Sequence, residues 1–342
     1  MTTFMEYLLL ISVLVSFFLC LIALPRWIGK CRRIGLLWED MNKWNCPKNV
    51  ASSGGVVVVM SFVLGVMSYV ALKTFLFGGT VHALEIFSLV AVILIMGIIG
   101  LVDDLLGWKN HGLPAKTRLA LAFVAAVPLV VINAGTRTMG LPFFGSVDFG
   151  ILYPLVLVPL GIAAVSTTFN FLAGFNGLEA GQGILILTFL SYVSYVSGRP
   201  WLTIIGLCMV ASLLAFLIFN KYPAKVFPGD IMTYSIGALI AGMSILGNFE
   251  KVAFVVFIPY IIEMLLKVRG KIKKYSFGKP TKEGYLEVPY DKIYGLEHFA
   301  IWALNGFKKK PGKNSGATER KVVFFIYAIQ IIFILIGFLI VF

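Results

Sequence analysis

Asp103 and Asp104 stand side by side at the end of an uncharged apolar run that begins at Ile86. A helix C-terminus carries partial negative charge, so two more negative charges there are unfavourable unless a cation answers them. Two later stretches also break apolar runs with polar groups. One is Asn170-Phe-Leu-Ala-Gly-Phe-Asn-Gly-Leu-Glu179, continuing to Gln182; the other is Phe227-Pro-Gly-Asp230. The plain readings are a solvated interface pair for Asp103/Asp104, a turn at Asn176-Gly177 and a helix N-cap at Asp230. A turn needs one Asn-Gly, however, and two asparagines with Glu179 and Gln182 exceed it. Three carboxylates with amides beside them suit a hard, oxygen-ligated cation such as Mg2+, with Mn2+ as the alternative.

The elements that must hold these residues are membrane helices. Of 342 residues, 59% are hydrophobic and 13% charged, and apolar runs of about 17–25 residues recur, the length that crosses a bilayer core. The expected fold is all-α, one integral membrane catalytic domain over 1–342. Ten spans are read, at 4–24, 51–73, 84–102, 119–133, 151–169, 182–197, 201–219, 231–247, 251–266 and 322–342. The first run lacks a basic leader segment and a small-residue cleavage site, so it reads as a retained span. The four cysteines have no pairing or metal-ligand spacing, and Cys20 and Cys208 read as small core residues.

Lysine and arginine favour cytoplasmic loops. With the N-terminus outside, the inner loops carry 25 of the 29 basic residues, leaving Lys73, Arg137, Arg199 and Lys251 outside. This places both termini on the non-cytoplasmic side. It also brings Asp103/Asp104, the Asn170 segment, Asp230 and the basic loop 267–321 to one cytoplasmic surface. Within that loop Lys267, Arg269, Lys271, Lys273 and Lys274 could clamp a pyrophosphate, or merely obey the charge rule. The Lys109 to Arg118 segment is a second source of cations. Lys308-Lys-Lys-Pro-Gly-Lys reads as a basic tether near anionic membrane lipids. A transporter is disfavoured, because the polar groups gather at one face rather than at the midplane of paired broken helices.

These residues, in this order, resemble the polyprenyl-phosphate N-acetylhexosamine-1-phosphate transferase superfamily (glycosyltransferase family 4). The likeness is strongest to its dolichyl-phosphate GlcNAc-1-phosphotransferases of archaeal and eukaryotic type. The stretches that carry it are Asp40-Met-Asn-Lys43, Gly100-Leu-Val-Asp-Asp104, Asn170 to Gln182 and Phe227-Pro-Gly-Asp230. The resemblance implies a ten-helix bundle in the cell membrane with its active site facing the cytoplasm. It implies transfer of GlcNAc-1-phosphate from UDP-GlcNAc to dolichyl or another polyprenyl phosphate, releasing UMP, the first step of lipid-linked oligosaccharide assembly for N-glycosylation. Another UDP-N-acetylhexosamine donor, or a cell-envelope pathway, is the alternative.

By the same resemblance Asn170 and Asp230 hold Mg2+, and Met41, Gly174 and Asn176 surround the uracil, with Glu179 in the same substrate-binding stretch. Asp103 is either a base on the lipid phosphate or, with Asp104, an organiser of it. A lysine after the pair contacts phosphate, Lys116 first and Lys109 second. Arg269-Gly-Lys271 loosely matches the family's basic sugar clamp. Two departures stand out: Ala51-Ser-Ser-Gly-Gly55 lacks the glutamate that eukaryotic relatives carry, and the multi-histidine loop of bacterial relatives is absent, with only His298 nearby. A short, lysine-rich chain looks archaeal. The expected partners are the UDP-sugar, the polyprenyl phosphate, membrane lipids and a second copy of the chain as a homodimer, with no nucleic acid.

Overall fold

The computed structural model describes residues 2–79, 81–109, 112–141, 145–312 and 315–341. It is mostly helical, and all ten apolar stretches lie in helices. These are α1 (Thr2–Ile34), α2 (Gly55–Leu76), α3 (Ala83–Lys109), the pair α4 (Ala115–Ala125) and α5 (Val127–Val131), α6 (Val158–Phe169), α7 (Leu178–Val196), α8 (Pro200–Asn220), α9 (Asp230–Gly247), the pair α10 (Glu250–Val256) and α11 (Ile258–Arg269), and α13 (Glu319–Val341). A shorter helix, α12 (Leu296–Leu304), lies in the basic loop, and a π-helical turn at Tyr153–Leu157 leads into α6.

Among the described residues, six helices are long and apolar enough to cross a membrane: α1 from Leu9, α2, α3, α8, α9 and α13. Three of the other stretches are broken, with Pro128, Pro159 and Pro259 in the first turns of α5, α6 and α11. Proline lacks the N–H and clashes with the preceding turn, so each run restarts there. In α7 the early Glu179 and Gln182 lower an otherwise apolar helix. The small strands are antiparallel pairs, Leu37–Glu39 with Lys48–Ala51, Thr138–Leu141 with Gly145–Asp148, and Lys279–Pro280 with Leu286–Glu287. Cys20 and Cys208 are buried and unpaired, as expected of core residues.

Helix α9 is the centre of the bundle. Every residue from Ile231 to Gly247 is buried, and α2, α3, α6, α7, α8 and α10 all pack on it. Small residues permit this, because helices in lipid associate through close backbone packing. A Cβ on Gly237 would come within 2.5 Å of Ser166 in α6. A Cβ on Gly100 would come within 2.5 Å of the Asp230 carbonyl and the Ile231 nitrogen. Thus α3, one turn before Asp103/Asp104, touches the first residues of α9 backbone to backbone. From the other side Gly54 and Gly55 donate to the Phe227 and Pro228 carbonyls at 2.9 and 2.8 Å. Phe227 in turn donates to Ala51 at 2.8 Å, extending the Lys48–Ala51 strand.

Two glycine substitutions test the α3–α9 contact. Gly100→Ala should lower the thermal unfolding midpoint in detergent, overpacking costing about 1–3 kcal/mol. Gly161→Ala in α6, where nothing lies within 4 Å of a new Cβ, should be neutral or stabilising, since alanine favours helix by about 1 kcal/mol. Equal midpoints for the two variants would remove the contact from the argument.

Candidate active site

The α3–α9 contact sets three carboxylates together. Gly229 adopts a left-handed φ of 71°, which turns the chain abruptly into α9 and suits glycine alone among common residues. A Cβ there would also strike Asp104 Oδ2 at 2.2 Å. Asp104 Oδ1 accepts the Asp230 backbone N–H at 2.8 Å, so the capping of α9 comes from α3. Asp230 itself makes no side-chain capping bond; its side chain is left for other partners. Asn170, at the end of α6, donates through Nδ2 to Asp230 Oδ2 at 3.1 Å and accepts from Thr233 Oγ1 at 2.9 Å.

The answering cation is Arg118 of α4. One guanidinium nitrogen lies 2.6 Å from Asp103 Oδ2 and 3.5 Å from Asp230 Oδ2. Asp103 Oδ1 accepts from the Leu113 backbone N–H, so both Asp103 oxygens are engaged. Three carboxylates against one guanidinium leave the site negative. Asp104 Oδ2 is buried without a hydrogen-bond partner. Carboxylate and amide oxygens suit a hard cation, and Asp230 and Asn170 are the residues that could hold one. Among the described residues no three His, Cys, Asp or Glu side chains enclose a metal by themselves.

The loop from Asn170 to Leu178 is held by struts from distant elements. Glu179 accepts the Gly174 N–H at 2.8 Å. Asn42 donates to the Gly174 carbonyl at 2.7 Å and accepts from the Gly278 N–H at 3.0 Å, joining three loops. Asn176 turns inward: its N–H donates to Glu319 at 2.8 Å, and its amide donates to Asp40 at 3.2 Å. Asp40 is also paired with Lys43. Tyr327 of α13 donates to the Gly177 carbonyl at 2.6 Å and stands where a Cβ on Gly181 would clash, at 1.8 Å.

These pieces border a cleft of about 620 Å³. Of the residues singled out from the sequence, Met41, Asp103, Asp104, Asn170, Gly174, Glu179 and Asp230 all line it. Asn176 does not, being buried behind Gly174. Lys116 is exposed and outside the lining; two residues on, Arg118 is the basic residue that faces the aspartates. The side chain of Lys109 lies outside the described residues. Arg269 and Lys271 are exposed too, and Arg269 sits over the Tyr294 ring, 6.0 Å from its centroid. The wall on that side is Tyr275, Ser276 and Phe277, with the Phe277 ring against Gly174. Arg118 was within reach of sequence reasoning, since a planar guanidinium serves two carboxylates better than an ammonium. For the Tyr275–Phe277 wall the sequence carries no comparable signal.

The cleft therefore has an acidic, cation-accepting end and an end of backbone amides, amide-held loop and aromatic rings. The pattern described as glycosyl transferase family 4 matches residues 86–248, which hold Asp103, Asp104, Arg118, Asn170, Glu179 and Asp230. A protein of Sulfolobus acidocaldarius with the provisional name UDP-N-acetylglucosamine–dolichyl-phosphate N-acetylglucosaminephosphotransferase is 33% identical over 327 residues, 95% of this chain and 94% of its own. A protein of the same provisional name from Saccharolobus solfataricus is 33% identical over 331 residues, 96% and 95% of the two chains. A phospho-N-acetylmuramoyl-pentapeptide-transferase of a Wolbachia from Drosophila simulans is 32% identical over 249 residues, 70% and 72% of the two. With near-complete coverage at that identity and a cleft built from the matched residues, this chain belongs to glycosyl transferase family 4.

Proposed function

We propose that the chain transfers GlcNAc-1-phosphate from UDP-GlcNAc to dolichyl phosphate or a similar polyprenyl phosphate, releasing UMP, and so opens lipid-linked oligosaccharide assembly for N-glycosylation. The observation that carries the reading is the gathering of Asp103, Asp104, Asp230, Asn170 and Arg118 at one end of a cleft whose other end is the Gly174 loop. The names of the Sulfolobus acidocaldarius and Saccharolobus solfataricus relatives support the donor and acceptor. The chain would cross the membrane ten times, the proline-broken stretches crossing as two-piece helices. Both termini would then lie outside and the cleft would open to the cytoplasm, a placement supported by the basic-residue distribution.

Phosphoryl transfer asks a protein for positioning and charge stabilisation. An oxygen of the lipid phosphate attacks the phosphorus bonded to the sugar. The bond from that phosphorus to the bridging oxygen breaks, and UMP leaves with the electron pair. Asp230 and Asn170 would hold Mg2+ or Mn2+, and the unpartnered Asp104 oxygen adds to the negative field that attracts it. When bound, the ion neutralises charge on the pyrophosphate and on the departing UMP. Asp103, with both oxygens occupied, fits an organiser of Arg118 better than a proton acceptor, because either oxygen must give up a bond first. The lipid phosphate is itself anionic near neutral pH, with a second pKa of about 6, so the attack needs little help from a base.

Three measurements of UMP release bear on this. Asp230→Ala should lose about 10²-fold or more in kcat, and the wild type should lose activity in EDTA and regain it with Mg2+ or Mn2+. Undiminished turnover in EDTA would refute the metal assignment. Arg118→Gln leaves three carboxylates without their guanidinium; kcat should fall by about 10²-fold and excess Mg2+ should restore part of it. An Arg118→Gln enzyme of wild-type rate would show that the ion pair is idle. Asn176→Ala cuts the tie from the Gly174 loop to Asp40, so KM for UDP-GlcNAc should rise more than kcat falls. A collapse of kcat at constant KM would put Asn176 in the chemistry instead.

A further inference from the structure

Behind the Tyr275–Phe277 wall, between α11 and α12, lies a nest of ionisable residues that the proposed chemistry does not use. Glu263, Lys267, Glu297 and His298 are all buried, Glu263, Glu297 and His298 at 0% exposure. Burying an ammonium costs several kcal/mol unless it is paired and fully bonded. An apolar side chain would fill the space without that cost, so the lysine at this position calls for a reason.

Its contacts supply one. Lys267 Nζ lies 3.2 Å from Glu263 Oε1 and donates to Ser276 Oγ at 2.5 Å. Glu263 Oε2 accepts the Leu296 N–H at 2.6 Å, tying the start of α12 to the same carboxylate. Glu297 presses on the same spot, since a Cβ on Gly295 would come within 2.5 Å of Glu297 Oε2 and 3.1 Å of Glu263 Oε1. Burial, then the Glu263 charge, pushes the Glu297 carboxyl well above its ordinary range. Burial, then Lys267, pushes His298 down to about 4. The carboxyl group within ion-pair distance of Lys267 is that of Glu263.

Ser276 is where this charge meets the cleft. Ser276 lines the cavity; its hydroxyl has a long partner in the Phe171 carbonyl at 3.4 Å, and the Glu297 carboxyl is also within its reach. An ammonium can only donate, so the serine oxygen is the acceptor and its proton points away from Lys267. A hydroxyl that accepts a charge-assisted bond becomes a stronger donor to its next partner. The weak bond to Phe171 is readily exchanged for one to a ligand.

We propose that Lys267 is a positioning residue that acts through Ser276, orienting and polarising the hydroxyl so that it hydrogen-bonds the anionic nucleotide-sugar in the cleft. The inference rests on the transferase reading, and it concerns donor binding alone.

A double-mutant cycle tests it in the full-length protein in detergent, with UMP release for KM and kcat and calorimetric titration of UDP-GlcNAc for binding. Ser276→Ala should raise donor KM and Kd about five- to tenfold, the worth of one hydrogen bond, with kcat within about twofold. Lys267→Met should do the same. The double variant should be no worse than Lys267→Met alone, and Lys267→Arg should recover most of the loss. Multiplying effects in the double variant, or an unchanged Kd in Ser276→Ala, would overturn the proposal. If Lys267→Met fails to fold because Glu263 is left unpaired, Glu263→Gln/Lys267→Met replaces it in the cycle, and Ser276→Ala decides by itself. Wild type that binds UDP-GlcNAc but releases no UMP would sink the transferase reading while leaving the cycle readable by titration. Wild type that does not bind UDP-GlcNAc overturns both.

Discussion

The backbone of α3 lies against the backbone of α9, with no side chain between them, and the rest of the site depends on that approach. Gly100 makes it, and three carboxylates are thereby forced into one small volume at the start of α9. Left alone they would repel, so the arrangement requires cations. Arg118 supplies one from the protein, and the residual negative charge is what a substrate-borne ion would satisfy. Structural order and chemical appetite have the same origin. The contact that packs α3 against α9 also leaves the site electrostatically incomplete.

Such incompleteness is tolerable because of where it sits. Helix α9 is apolar and enclosed from Ile231 onward, and its polar beginning is wrapped by the Pro228-Gly229 turn, the Lys48–Ala51 strand and Asn170. Gly54 and Gly55 pair the Phe227 and Pro228 carbonyls, and Asp104 pairs the Asp230 N–H. The helix dipole helps, since the start of α9 presents partial positive charge toward Asp104 and Asp230.

Much of this is legible in the sequence. Polar groups that interrupt apolar runs have few reasons to be there, which is why Asp103, Asp104, Asn170, Gly174, Glu179 and Asp230 declared themselves. The helical class follows from run length, whereas the breaks at Pro128, Pro159 and Pro259 emerge only in the structure. What stayed hidden was orientation at long sequence separation. Asn176 and Gly174 are two residues apart, yet one turns inward to Asp40 and Glu319 while the other borders the cleft. Lys116 and Arg118 occupy the same first turns of α4, and nothing in their spacing tells which reaches α3. Basic residues in the 267–321 loop satisfy the membrane charge rule wherever they point, so that rule could not separate the exposed Arg269 and Lys271 from the buried Lys267. The Tyr275–Phe277 wall is a meeting of three loops through Asn42, a purely tertiary event.

The struts from α13 have a consequence in time. Glu319 and Tyr327 hold the Asn176–Gly177 backbone, yet they follow it in the chain by 143 and 150 positions. While the protein is still being made, α3, α6 and α9 can already have entered the bilayer and brought their carboxylates together. The loop opposite them already has Asp40, Asn42 and Glu179 to hold it, but its Asn176–Gly177 backbone stays untied until α13 arrives and docks. A half-synthesised chain would thus present a gathered acidic end beside a loop held only in part. Translation completes the anchorage of that loop last.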